Sequence, residues 1–349
     1  MAENPSQPTT IESDELPTSI FDKETRLERG FKWIATTKQR QTLTEQGTSP
    51  PVAKHRIYYE IHGDPSPHSQ KLIWIMGLSN SCFGWNLQIK HFSKLKGFQC
   101  LTFDNRGVGS TDSPRGLYLI SEMAKDVIEL LEQVGWLNLD QQHDERKLNV
   151  VGVSMGGMCA LELATMIPQH INALMLTSTK SGTKSDLPNR KVLYTFGRIL
   201  TGTVWSPEQG VSLITDMLFP KEYLDSIDSN DQQESKRTKR QIHEQDFLNR
   251  YKLTRRQTMT GRLGQLSAVF RHQVDQQRLK EISKNVYRIG IITGDQDNLI
   301  NPQRSFDLHH DLPGSTLKVV KGAGHALPAQ IPDEYNDWIL SVLNQPVKN

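Results

Sequence analysis

Cysteine is scarce in this chain: three residues in 349, Cys82, Cys100 and Cys159, with no C-x-x-C pair. So sparse and odd a set excludes a disulfide framework and suits a reducing compartment. Long apolar runs are missing too, and no uninterrupted stretch approaches the roughly 18 residues that cross a bilayer. Nor is there an excess of either charge: 41 Lys and Arg face 39 Asp and Glu, a formal charge of +2. A dedicated nucleic-acid binder normally has a basic face and a pI above about 9, so no nucleic-acid partner is expected. No His, Cys, Asp or Glu cluster has metal-ligand spacing, and there is no phosphate loop or dinucleotide fingerprint. Neither a metal nor a cofactor is implied.

The N-terminus, MAENPSQPTTIESDELP, lacks the basic start and apolar core of a secretory signal. Glu3, Glu12, Asp14 and Glu15 argue against a transit peptide. The final Pro346-Val347-Lys348-Asn349 is no retention or peroxisomal address. Cytoplasmic location is therefore the default expectation.

What is present suffices for a globular core. Hydrophobic residues make up 36% of the chain, with 11 Phe, 8 Tyr and 6 Trp. Residues 1–50 are polar and read as a tail, with a short edge strand expected at residues 31–36 (FKWIAT). The texture then changes: residues 57–63 (IYYEIHG), 71–76 (KLIWIM) and 98–103 (FQCLTF) have strand length and apolar content. A helix follows, with Met123, Val127, Leu130, Leu131 and Val134 on one face, Ser121 as its cap and Gly135 as its stop. Residues 148–153 (LNVVGV) predict a strand, the next residues to Met166 a helix, and residues 173–178 (ALMLTS) another strand. Short apolar strands alternating with amphipathic helices predict an α/β fold, a mostly parallel sheet covered on both faces.

That rhythm breaks over residues 179–283, which have helical texture and no convincing strand. It resumes at residues 287–293 (YRIGIIT) and 317–320 (LKVV), and ends in a helix carrying Tyr335, Trp338, Ile339 and Val342. The expected organisation is an α/β core over residues 51–178 and 284–349, interrupted by a helical lid at 179–283.

The sharpest chemical signal is Gly152-Val153-Ser154-Met155-Gly156, a G-x-S-x-G between a predicted strand and a predicted helix. A serine on so tight a turn takes a strained backbone conformation that projects its hydroxyl above the sheet edge. Gly152 and Gly156 are small because a Cβ on either flank would collide across the turn. A serine hydroxyl needs a base to become a nucleophile. Gly322-Ala323-Gly324-His325 follows the last strand, and Gly294-Asp295-Gln296-Asp297 follows the one before it. The order Ser154, an Asp, then His325 is that of a catalytic triad on such a sheet. Either Asp295 or Asp297 can supply the acid. His309 and His310 are read as surface residues.

With these motifs in place, the chain resembles the α/β-hydrolase family over residues 56–345. In that family the acid lies three residues after the glycine, which implies Asp297, with Asp295 as the fallback. The resemblance also implies an oxyanion hole formed by the amides of Met155 and Leu78, the latter in Met76-Gly77-Leu78 where the family commonly reads His-Gly-x. Gly77 supports that loop. The run I-M-G-L, Gly84-Trp85, F-D-N-R-G-V-G-S and G-V-S-M-G-G-M is similar to the branch containing aclacinomycin methylesterase. Asp104 and Arg106 are expected to brace the site, Arg106 through an ion pair. Relatives that open epoxides use Asp as the nucleophile, whereas Ser154 attacks acyl-type centres.

The expected activity is hydrolysis of a carboxylic ester of a small to medium apolar molecule through an acyl-enzyme. Acyl transfer, lipase action or a non-catalytic binding role are the alternatives. Phe196, Leu200, Leu213, Met217, Leu218 and Phe219 would either line an acyl pocket or form the lid's own core. Residues 236–240 (KRTKR) read as a solvated lid face, with a nuclear signal or anionic-lipid contact as the alternative.

Overall fold

The computed structural model describes residues 16–35, 54–139, 147–183, 190–200, 206–228 and 236–347. Eight strands form one sheet: β1 (Arg26–Ala35), β2 (Lys54–Gly63), β3 (Gln70–Ile75), β4 (Phe98–Phe103), β5 (Leu148–Val153), β6 (Ile171–Thr177), β7 (Arg288–Gly294) and β8 (Thr316–Val320). Their order is β1-β2-β4-β3-β5-β6-β7-β8. β2 runs antiparallel to β1 and β4, and β3 to β8 are parallel. This is the α/β-hydrolase fold, with a mostly parallel sheet, helices on both faces and lid-like insertion helices.

The continuous apolar strands follow from burial on both faces. In β3, Leu72 and Trp74 enter one core while Ile73 and Ile75 enter the other. β6 does the same with Ala173 and Met175 against Leu174 and Leu176. On one face pack α2 (Ile120–Gln133) and α3 (Met155–Met166); α1 (Asn86–Phe92) and α12 (Pro332–Leu343) cover the other. α3 is mostly apolar around its circumference because it packs on β5 and β6 and against both α2 and α9.

α2 begins one residue before the expected cap: Ser121 is inside the helix, and Glu122 Oε2 accepts the Leu119 amide at 3.3 Å instead. Its end is as expected. Gly135 takes φ +70°, its amide reaches the Glu132 carbonyl and Trp136 reaches that of Leu131, a Schellman closure.

The N-terminal segment departs from the expected polar tail. Within the supposed tail, residues 16–35 are described, and β1 spans ten residues rather than the short piece expected at 31–36. The polar run RLERG hid it. As an edge strand, β1 pairs on one side only, and its charged side chains serve β2: Arg26 Nε donates to Glu60 at 2.9 Å, and Glu28 accepts from the Tyr59 hydroxyl.

The insertion carries α4 (Arg190–Leu200), α5 (Pro207–Leu218), α6 (Lys221–Asp225), α7 (Lys239–Leu253), α8 (Met259–Arg271) and α9 (Gln276–Asn285). Side-chain caps start four of them: Ser206, Thr238, Thr258 and Asp275 each accept the amide three residues on. α9 packs on α3, and Arg278 pairs with Glu162, so this last stretch of the insertion belongs to the core. α10 (Gln303–Asp311) and α11 (Leu327–Gln330) complete the chain. Among the described residues no helix is long and apolar enough to cross a membrane.

Candidate active site

Ser154 occupies the junction of β5 and α3 with φ 56° and ψ −122°, a positive-φ conformation rare for a residue with a Cβ. The turn is held from all sides. Ser154 donates its amide to the Thr177 carbonyl at 2.9 Å and accepts the Thr179 hydroxyl on its own carbonyl at 2.7 Å. A Cβ on Gly156 would lie 2.0 Å from the Ile75 carbonyl oxygen, and one on Gly152 would lie 2.4 Å from that of Gly156. Both positions are therefore closed to any larger residue. Met155 is the first residue of α3, so its amide has no intrahelical acceptor and points outward with the positive end of the helix dipole.

The structure separates the two candidate acids. Asp297 Oδ2 lies 2.7 Å from His325 Nδ1, and both residues are buried. Its Oδ1 accepts the Leu299 and Ile300 amides at 2.8 and 3.0 Å, which fixes the carboxylate plane. Asp295 is exposed, turns away and accepts the Gly322 amide at 2.7 Å. An ionised carboxylate only accepts, so the imidazole proton sits on Nδ1 and Nε2 is left as the basic nitrogen. β5, β7 and β8 are parallel, so the loops bearing Ser154, Asp297 and His325 all leave the same sheet edge. His309 and His310 are exposed, as expected.

Sequence reading missed the clamp on the His325 loop. Gln330 Oε1 accepts the Gly324 amide at 2.8 Å and its Nε2 donates to the Gly322 carbonyl at 3.0 Å. From the lid, the Leu218 carbonyl accepts the His325 amide at 2.8 Å. Gly324 permits this approach, since a Cβ there would lie 2.5 Å from the Leu218 oxygen.

The loop after β3 crosses directly over the elbow. A Cβ on Gly77 would lie 3.2 Å from the Ser154 Cβ, so the loop passes against the serine at Gly77, the residue before Leu78. Asn105 Nδ2 donates to the Met76 carbonyl at 2.9 Å. Ser79 takes φ +57°, and its amide donates to Gln265 Oε1 at 2.9 Å. Gln265 is fully buried on α8 and also donates to the Arg106 carbonyl at 2.9 Å. No motif flagged this glutamine; a lone polar residue between Gly264 and Leu266 was the available signal.

Asp104 and Arg106 brace this architecture from below. Asp104 accepts the Cys82 and Ser110 amides at 2.7 and 2.8 Å, and burial raises its carboxyl above the usual range. Arg106 makes two 2.6 Å bonds to Asp126, with Glu122 at 3.5 Å. Burial also pushes the Cys82 thiol well up, so it is no nucleophile.

In the lid, Phe219 stacks on His243 with ring centres 4.2 Å apart and lies against Tyr223, so it belongs to the lid's own core. Met217 is buried and Leu213 and Leu218 partly so, while the Phe196 and Leu200 side chains lie outside the described residues. In the basic run, Lys236 is exposed, Lys239 sits over the Tyr223 ring, and Arg240 pairs with Asp216 and Glu244. Among the described residues no group of three His, Cys, Asp or Glu could hold a metal ion.

Comparison with known proteins agrees with this architecture. The chain is 24% identical over 291 residues to "Putative carbamate hydrolase RutD" of Caulobacter vibrioides, covering 82% of this chain and 95% of that protein. In fold it is similar to the enol-lactonase of Burkholderia xenovorans (TM-score 0.65, 17% identity, 83% of this chain and 97% of the other). It is likewise similar to a thermophilic esterase of Thermogutta terrifontis (TM-score 0.63, 17% identity, 91% and 100% covered). These likenesses reach the family, not specifically the aclacinomycin methylesterase branch. The model of the alpha/beta hydrolase fold family matches residues 72–330, and the chain belongs to that family.

Proposed function

We propose that the protein is a serine hydrolase that cleaves a carboxylic ester of a small to medium apolar molecule. Ser154 Oγ attacks the carbonyl carbon while His325 Nε2 takes its proton, and the imidazolium that forms is stabilised by Asp297. The amides of Met155 and Leu78 receive the tetrahedral oxygen. Collapse expels the alcohol, which takes the proton from His325 and leaves an acyl-enzyme. Water then attacks the acyl carbon with His325 again as base, the bond to Ser154 Oγ breaks as His325 returns the proton to it, and the acid departs. The observation that carries this reading is the 2.7 Å contact of His325 Nδ1 with Asp297, at the same sheet edge as a serine in a strained strand-to-helix turn. The narrower likeness to aclacinomycin methylesterase would favour methyl esters. The name of the RutD relative instead favours a carbamate, whose acyl carbon the same nucleophile can attack.

A fluorophosphonate probe, used beside a panel of p-nitrophenyl and methyl esters and a carbamate, tests the proposal. Labelling of the folded wild type and its loss in Ser154→Ala are expected. A folded wild type that is neither labelled nor active would sink the reading. Products formed with added alcohol separate hydrolysis from acyl transfer, and a rate jump where substrate forms an interface would favour a lipase.

A further inference from the structure

Helix α8 is built inside out. Its buried side consists of Gly261, Gly264, Gln265 and Ala268, with Leu266 at the margin. The small residues are required there, since a Cβ on Gly261 would lie 2.2 Å from the Gly107 carbonyl oxygen and one on Gly264 2.5 Å from the Tyr118 ring. The large apolar side chains point the other way. Met259, Leu263 and Phe270 fall within about 40° of one another on the helix, at 50, 48 and 65% exposure. Tyr251 and Leu253, just upstream, are 39 and 40% exposed. The fit of α8 onto the core needs none of these outward side chains, and a clustered exposed apolar surface marks a docking site.

The charge of the chain segment that carries these side chains points to its partner. Between Asp246 and Asp275 there is no acidic residue, and six cations occur: Arg250, Lys252, Arg255, Arg256, Arg262 and Arg271. Arg250 pairs with Asp246, and Arg255 bonds the Gly109 and Thr111 carbonyls. Lys252, Arg256 and Arg271 are exposed. A second copy of the chain fits poorly, because a two-fold interface would set this acid-free stretch against itself. An anionic lipid surface fits both features: apolar side chains enter the acyl boundary while Lys and Arg meet the headgroups.

We propose that the outward face of α8, with the Tyr251–Arg256 approach to it, docks the protein on anionic membranes. This surface stands independently of the chemistry proposed for Ser154. The full chain is sedimented with vesicles of phosphatidylcholine, alone or with about 30% phosphatidylglycerol, at low and high salt. Binding to the anionic vesicles at least about tenfold tighter, and its loss at high salt, are expected. Leu263→Glu/Phe270→Glu and Lys252→Glu/Arg256→Glu should each weaken it by about tenfold or more. All four side chains are exposed, and melting curves check folding, with the single Phe270→Ser as the milder variant. Equal binding to both vesicle types, no binding, or binding untouched by these substitutions overturns the proposal. Self-association abolished by Leu263→Glu/Phe270→Glu, without vesicle binding, also overturns it and gives the face to a second copy.

Discussion

Gln265 accepts the amide of Ser79 at 2.9 Å across 186 residues of sequence, and so ties lid helix α8 to the loop that carries Leu78 past Ser154. Ser79 is left-handed, at φ +57°, a conformation that persists only where its surroundings hold it. Gln265→Met keeps the bulk and removes its hydrogen bonds with the Ser79 amide, the Gln257 side chain and the Arg106 carbonyl. If Leu78 is an oxyanion donor, loosening its loop lowers kcat more than it raises KM. The loss should approach but not exceed the roughly 2.7–4 kcal/mol cost of deleting such a donor. Steady-state kinetics on a soluble ester check this; an unchanged kcat in a folded variant would remove Gln265 from the oxyanion machinery.

The two acids of the Gly294–Asp297 turn should separate cleanly. Asp297→Asn leaves the shape but presents the wrong partner to His325 Nδ1, and a drop in kcat on the order of 10⁴ is expected. Asp295→Asn alters an exposed side chain whose bond is to the Gly322 amide. Its effect should be within a few-fold on kcat and about 1 kcal/mol on stability. Comparable losses in both variants would contradict the assignment of the acid.

Arg106 is a stability residue. It is buried and bidentate on Asp126, which also faces His55 at 3.4 Å. Arg106→Met strands a buried carboxylate and should cost about 3–5 kcal/mol in denaturant unfolding. Adding Asp126→Met should recover part of that loss, because the uncompensated charge is then gone. A double variant as unstable as the sum of the two singles would argue against coupling.

His272 provides a test in pH. Burial, with Lys180 and Arg278 nearby, pushes its pKa down to about 3. Below an unfolded pKa of about 6.5 the unfolded chain takes up a proton that the folded chain refuses. This contribution to stability is therefore complete above about pH 6.5 and is lost as pH falls toward 3, by up to about 1.4 kcal/mol per pH unit. His272→Phe should flatten the wild-type slope between pH 6.5 and 4.5 in thermal melts. Parallel slopes would show that His272 carries no such linkage.

The strands and their faces were legible because burial on both sides leaves a local mark. β4 and β5 coincide with residues 98–103 and 148–153, and the glycines flanking Ser154 gave away a turn too tight for a Cβ. β1 was illegible beyond its last residues because an edge strand bonds one neighbour and can be polar in sequence. Gln330 and Gln265 were illegible for a related reason. A single amide side chain has no periodicity, and its importance lies in which carbonyls and amides the fold brings to it.

The sequence by itself determined the alternation of strands and helices, the elbow at Ser154 and the presence of a histidine and two acids after later strands. Those are local patterns, imposed by backbone sterics and by the period of burial. Only the tertiary structure decided that Asp297 rather than Asp295 meets His325, because the two differ by a two-residue step whose direction the turn sets. It alone turned the apolar side of α8 outward. The close approach of Gly261 to Gly107 fixes that helix's rotation, and contacts between residues so far apart in the chain leave no periodic trace in the sequence.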